Sequence, residues 1–290
     1  VSVTENQLQL QLAYRLGENA VPSDSNEVAR RRSYFNDALR AVYKEQYFWF
    51  TEDQASDTTV AGQEVYTLSS TVRDLFEVRI NRKLVTPESI TNALGSYNYP
   101  PLYYQYSSLA SRWFITGDKT LHILPIPTTA PSAVVVTSIA VSGTTATVTC
   151  STDHGYSALD FVTIAGTSNF NGTQQIVSVP STTTFTFTSS QATETGTFSA
   201  TLQNLTYRFF TEFSPLTTTT STTQLPDAYT YGLVNFAYAR KMQQKGRRGS
   251  AADGFDEFNE FIKDLNIEQN RRKFANRSVG PVLPEYVTGV

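Results

Sequence analysis

Helical periodicity is confined to the two ends of this chain, and that placement constrains the fold more than any other feature of it. Near the N-terminus Thr4 and Gln7 have capping-box spacing, in which side chain and backbone satisfy each other's free donors. Leu8, Leu12 and Leu16 recur every four residues, Leu10 and Tyr14 widen the stripe, and Gly17 suits a helix end, so a helix is expected over 4–18. After Pro22, Asp24 and Glu27 repeat the spacing and open a longer helix, expected over 24–50, with Val28, Phe35, Val42 and Trp49 in one seven-residue row. Arg30, Arg31 and Arg32 lie near its start, where the helix dipole disfavours cations, and read as a solvated face or as charge partners for another chain. Toward the other end, Pro226 and Asp227 mark a helix over 227–245 carrying Leu233, Phe236, Ala237 and Met242. Ser250 opens another over 250–274 with Phe255, Phe258, Phe261, Ile262 and Leu265. The link at 246–249 is short enough to make these last two antiparallel neighbours. No stripe is wholly apolar, so each helix needs a partner to cover it. The fold class expected is α+β, with a four-helix bundle formed from both chain ends, a central β-region and an inserted small all-β sandwich.

The central β-region follows from period-two alternation in Glu64–Leu68 and Phe76–Ile80, which gives strands with one buried face. Pro87–Leu94 suits one or two helical turns. Arg112–Thr116 and Leu121–Leu124 flank a Gly117-Asp118 turn, Pro125 and Pro127 close that group, and Leu205–Phe213 resumes it. Residues 132–201 stand apart. They hold no Lys or Arg, three acids (Asp153, Asp160, Glu194) and eighteen threonines. Six strand-like stretches recur there at short spacing, with turns at Ser142-Gly143, His154-Gly155 and Asn171-Gly172. Threonine packs well on a pleat while its hydroxyl faces water, and lengthening a surface loop costs little entropy. The expected organisation is therefore a core of 1–131 with 202–275, an insert at 132–201, and an extended tail at 276–290, where Gly280, Pro281, Pro284 and Gly289 oppose helix. Thr217–Thr223 is low in complexity and reads as a mobile loop.

Composition excludes several functions. With 23 basic and 26 acidic residues the formal charge is −3, unlike the strongly basic face of a general nucleic-acid binder. One cysteine, Cys150, permits no internal disulfide, and two histidines, His122 and His154, leave little for metal ligation, so no cofactor is expected. Cys150 alternates with Val148 and Ala146 and reads as a core residue; His122, between Leu121 and Ile123, reads as an ordinary strand histidine. Phosphate-loop, HExxH, CxxC and GxSxG motifs are missing, so no catalytic residue is assigned and the chain is read as a non-enzyme. No apolar run reaches a membrane span and no signal-peptide pattern opens the chain, so synthesis in a reducing cytoplasm is expected. Arg240, Lys241, Lys245, Arg247 and Arg248 surround the C-terminal turn, while Arg271, Arg272 and Lys273 end the last helix. Helix dipoles favour cations at such ends, and docking on an acidic protein surface is the functional alternative.

The order of these motifs resembles the head-to-tail adaptor (connector) proteins of tailed bacteriophages. The resemblance rests on the helix ending Ala41–Phe50, the strand Gly62–Leu68, the run Leu121–Pro127, the helix opening Gln224–Tyr229, and the closing Phe255–Phe258 helix. Within the insert, His154-Gly155 and Phe170–Thr173 look like the Ig-like decorations of phage structural proteins. The resemblance implies a structural virion protein at the neck between capsid and tail. It implies a homo-oligomeric ring, usually of twelve copies, beneath the portal protein, which extends the DNA channel and anchors tail nozzle or tail-tube proteins. DNA would pass without sequence-specific binding. A reach from the chain's end to the portal or a neighbouring subunit would use Arg271, Arg272, Lys273, Phe274, Val279, Leu283 and Tyr286. Two other readings remain: a tail-tube or tail-completion protein, and a host-surface binding module acting through the inserted β-domain.

Overall fold

The computed structural model describes residues 2–88, 106–107, 112–117 and 119–277. The chain divides into two compact units, one of residues 1–52 with 212–290 and one of 53–211.

Both chain ends build the first unit. Strand β1 (Ser2–Thr4) leads into helix α1 (Glu5–Arg15), whose start is the expected capping box: Gln7 N–H donates to Thr4 Oγ1 and Thr4 N–H to Gln7 Oε1. Helix α2 (Ser25–Glu45) is capped by Asp24, which accepts from Asn26 N–H. It stops short of residue 50, because Gln46 adopts an extended backbone and Trp49–Thr51 form a 3-10 turn. The heptad row therefore breaks before Trp49, and Phe48, Trp49 and Phe50 pack on one another instead. Helix α3 (Tyr231–Gln244) begins after a separate 3-10 turn at Asp227–Tyr229, and α4 runs Arg248–Arg277. Gly246, at φ +72°, supplies the left-handed residue that ends α3.

All four helices contribute to one apolar core: Leu8 and Leu12 from α1, Phe35, Ala38 and Val42 from α2, Leu233 and Ala237 from α3, Phe258, Phe261 and Leu265 from α4. The expected four-helix bundle is nonetheless not what forms. Helix α3 packs against α1, α2 and α4, and α4 packs chiefly on α3. The reason is in α3 itself, which buries Gly232 through Ala237 without a break and so is surrounded rather than placed at a corner. Glycines set its approach to α4. A Cβ built on Gly232 would lie 2.3 Å from the Phe261 ring, and one on Gly254 3.0 Å from Ala239 Cβ. The 217–223 segment is held, not loose: Glu5 N–H and Asn6 N–H donate to the carbonyls of Ser221 and Thr219.

Among the described residues all other strands but one lie in the second unit, from β2 (Glu52–Asp57) through β16 (Leu205–Thr211); the exception, β17 (Thr222–Pro226), pairs with β1. Seven form a sheet, in order β2, β16, β4 (Val72–Ile80), β5 (Lys83–Pro87), β7 (Arg112–Thr116), β8 (Thr120–Leu124) and β3 (Val65–Thr67). Within it β5 and β7 pair in parallel, and β6 (Tyr106–Ser107) forms a separate parallel pair with β9 (Ile126–Pro127). One face buries Val72, Leu75, Val78, Val85, Trp113, Ile123 and Phe209. A register shift between β16 and β4 near Phe209 turns Leu75 inward and Phe76 outward, against simple alternation. Of the helical turn suggested at 87–94, Pro87 ends strand β5 and residues 89–94 lie outside the described residues.

The insert is all-β as expected, but its six strands close into a barrel instead of a sandwich. They are β10 (Val134–Ser142), β11 (Thr145–Cys150), β12 (Phe161–Ala165), β13 (Gly172–Ser181), β14 (Thr184–Thr188) and β15 (Glu194–Leu202). Closure follows because β15 pairs with both β10 and β12, leaving no open two-sheet arrangement of Ig type. Its interior is filled by Val136, Ile139, Val148, Ile164, Phe170, Ile176, Phe185 and Phe187. Cys150 lies in this core as read, where burial pushes its thiol up to about 11.

Candidate interaction sites

Charged side chains tie the helical unit together from within. Arg31 is 1% exposed and donates to both oxygens of Glu18, at 2.7 and 3.0 Å, and to Glu27 Oε1 at 3.0 Å. Lys241 Nζ donates to the same Glu27 oxygen at 2.6 Å, and Arg32 pairs with the fully buried Glu5 at 2.6 Å. Burial raises the Glu27 carboxyl, but hydrogen bonds from Lys241 and Arg31 together with their charges outweigh it and hold it below the ordinary carboxylate value. Arg31 and Arg32 are thus neither a plain solvated face nor kept for another chain: they bond Glu5, Glu18 and Glu27 of their own chain, and Lys241 of α3 meets Arg31 at Glu27. Sequence reading missed this because Glu5, Glu18 and Lys241 are remote in the chain or face inward only after folding.

The sequence-predicted contact residues are brought together only in part. Arg271 and Arg272 both pair with Glu268 one turn back on α4, at 3.1 and 2.9 Å, and Arg272 also lies 4.5 Å from the Trp49 ring centroid. Gln269 accepts from Trp49 N–H at 2.9 Å and Gln46 donates to Asn266 at 2.5 Å, so the aromatic 3-10 turn after α2 is fixed to the end of α4. Lys273 and Phe274 belong to the same helix by their backbone. Val279, Leu283 and Tyr286 lie outside the described residues.

In the β-rich unit His122 bridges strands. Its Nδ1 is 2.6 Å from Glu64 Oε1 and its Nε2 2.7 Å from Thr116 Oγ1, with the ring stacked on Phe114. These contacts tie the segment leading into β3 to the β7–β8 hairpin, with His122 in a strand as read. No group of three or more His, Cys, Asp or Glu positioned for a metal occurs among the described residues. No described helix is long and apolar enough to cross a membrane.

A cleft of about 510 Å³ opens between the outer face of the seven-stranded sheet and barrel residues 157–161. Arg79 and Arg208 approach one carboxylate, Glu77, at 2.7 and 4.0 Å, and Arg82 grips Asp160 through both guanidinium nitrogens Nε and Nη2. The hydrogen bond to Asp160, together with its charge, outweighs burial and raises the Arg82 pKa further. Asn81 and Arg82 sit at φ +49° and +66°, as the tip of the β4–β5 hairpin requires. Sequence reading had no access to this cleft, since its walls come from segments about eighty residues apart.

A family model for the SU10 adaptor protein matches residues 6–282, nearly the whole chain, and the chain belongs to that family of bacteriophage adaptors. Such adaptors are structural and not typically enzymatic. No curated protein matches the chain.

Proposed function

We propose that this chain is a head-to-tail adaptor that assembles as a ring beneath the portal at the virion neck, extends the DNA channel and anchors tail components. The observation that carries this reading is the family match over residues 6–282, which takes in both helical ends and everything between. Helices at both ends of the chain favour an adaptor over a tail-tube protein, which would be β-rich throughout. A small excess of acids over bases suits a passage that must not hold phosphates tightly. The helical unit faces the portal, and the end of α4 with the tail beyond it makes the contact: Arg271, Arg272, Lys273 and Phe274, then Val279, Leu283 and Tyr286.

The test is negative-stain imaging of particles that lack this protein, before and after adding the purified chain. A collar of fixed symmetry, twelvefold on this reading, is expected beneath the portal vertex. Particles that stay bare while the added chain is folded would reject the assignment. A chain truncated at Asn276 should dock weakly; docking with unchanged affinity would remove the tail from the contact.

A further inference from the structure

A ring joined head to tail needs two different surfaces on each copy that complement one another. The cleft of the β-rich unit has the marks of one. Its lining carries three guanidinium groups, from Arg79, Arg82 and Arg208, with two carboxylates, from Glu77 and Asp160, among them. Two leucines at its border are the most exposed large apolar side chains described, Leu159 at 71% and Leu84 at 66%. Leu159 lines the cleft, and Leu84 is the cross-strand neighbour of Arg79. Leu159 also sits at φ +71°, a backbone region that a branched side chain adopts only under constraint, held by its N–H to the Ile176 carbonyl. Apolar groups held out in water beside a group of guanidiniums fit a partner that brings acids next to an apolar group.

Helix α4 carries that complement. Asp253, Asp256, Glu260, Asp264 and Ile267 recur at steps of three and four, which sets them on one stripe of the helix. All five are exposed. Asp253, Asp256 and Glu260 have no hydrogen-bond or ion-pair partner among the described residues, and Ile267 is 59% exposed. We propose that the arginine-lined cleft of one copy receives the acidic stripe of α4 from a second copy, joining successive subunits around the ring. The inference rests on the ring reading above and deepens it by naming the two faces.

The test uses the full chain and particles lacking it. Two single-cysteine additions, Arg79→Cys and Glu260→Cys, are mixed, assembled on the particles and oxidised; Cys150 is buried and does not compete. A disulfide-linked dimer is expected from the mixture and from neither variant alone. In parallel, Asp256→Lys with Glu260→Lys should weaken assembly about tenfold, and adding Arg79→Glu with Arg208→Glu to the same chain should restore it. Circular dichroism of each variant reports folding, and the disulfide arm stands independently of the charge variants. A collar that forms from the mixed cysteine chains without cross-linking overturns this pairing of faces while leaving the ring intact. Wild-type chain that forms no collar overturns the ring reading, and the inference with it.

Discussion

Replacing Gly232 by alanine tests the packing that places α3 inside the helical unit. The added methyl would sit 2.3 Å from Cγ and Cδ1 of Phe261, a side chain 1% exposed whose ring also contacts Tyr231 and Phe258. Inserting a methyl into a filled core costs about 1–3 kcal/mol. Alanine returns up to about 1 kcal/mol through helix propensity, less here because Gly232 is in the first turn of α3. The net expectation is a loss of about 1–2 kcal/mol. Urea unfolding followed by far-ultraviolet circular dichroism is the assay, since every α-helix among the described residues lies in this unit. In a Phe261→Ala background, itself costing about 3–5 kcal/mol, the methyl has room and the sign should reverse, making Gly232→Ala neutral or mildly stabilising. An unchanged penalty in that background would show that the cost does not arise from the α3–α4 approach.

Three further expectations follow from described contacts. Glu27→Gln should lower stability at neutral pH by about 1–3 kcal/mol, because it weakens charge-assisted bonds from Lys241 and Arg31. The folded carboxyl titrates below its unfolded value of about 4.3, so the wild-type advantage is full above that pH and fades as pH falls through the lower folded pKa; an undiminished advantage in acid would contradict the pairing. The Cys150 thiol, pushed up to about 11 by burial, should resist a disulfide reagent at mildly alkaline pH until the barrel opens, and immediate labelling of folded protein would refute its place in the core. Arg272→Ala should cost about 0.5–1 kcal/mol and shift Trp49 fluorescence, whereas emission identical to wild type would remove the cation–π contact.

Local physics made the helices legible. Thr4 with Gln7, the leucines of α1 and the phenylalanines of α4 each act within a turn or two, and spacing reports them directly. The end of α2 was not legible, because Trp49 continues the heptad row of Val42 while the backbone at Gln46 has already turned extended. Barrel closure was hidden for a related reason: β15 is one strand of ordinary alternation, and only its pairing with both β10 and β12 decides between open and closed. Arg31 and Arg32 were misread since buried charge looks like surface charge until its partners arrive from elsewhere. The arginine cleft left one trace in sequence, Leu159 beside Asp160 in a turn, and nothing there announced that the leucine would face water.

The seamless wall of the threonine-rich barrel has a consequence for crowding. Strands rich in threonine and valine readily recruit neighbours of their own kind when their margins are bare, and the hazard grows when many identical molecules are held close. With each of its six strands hydrogen-bonded on both flanks, this module offers no such seam to a sibling. Closely gathered copies can therefore touch through side chains while their backbones stay unzippered.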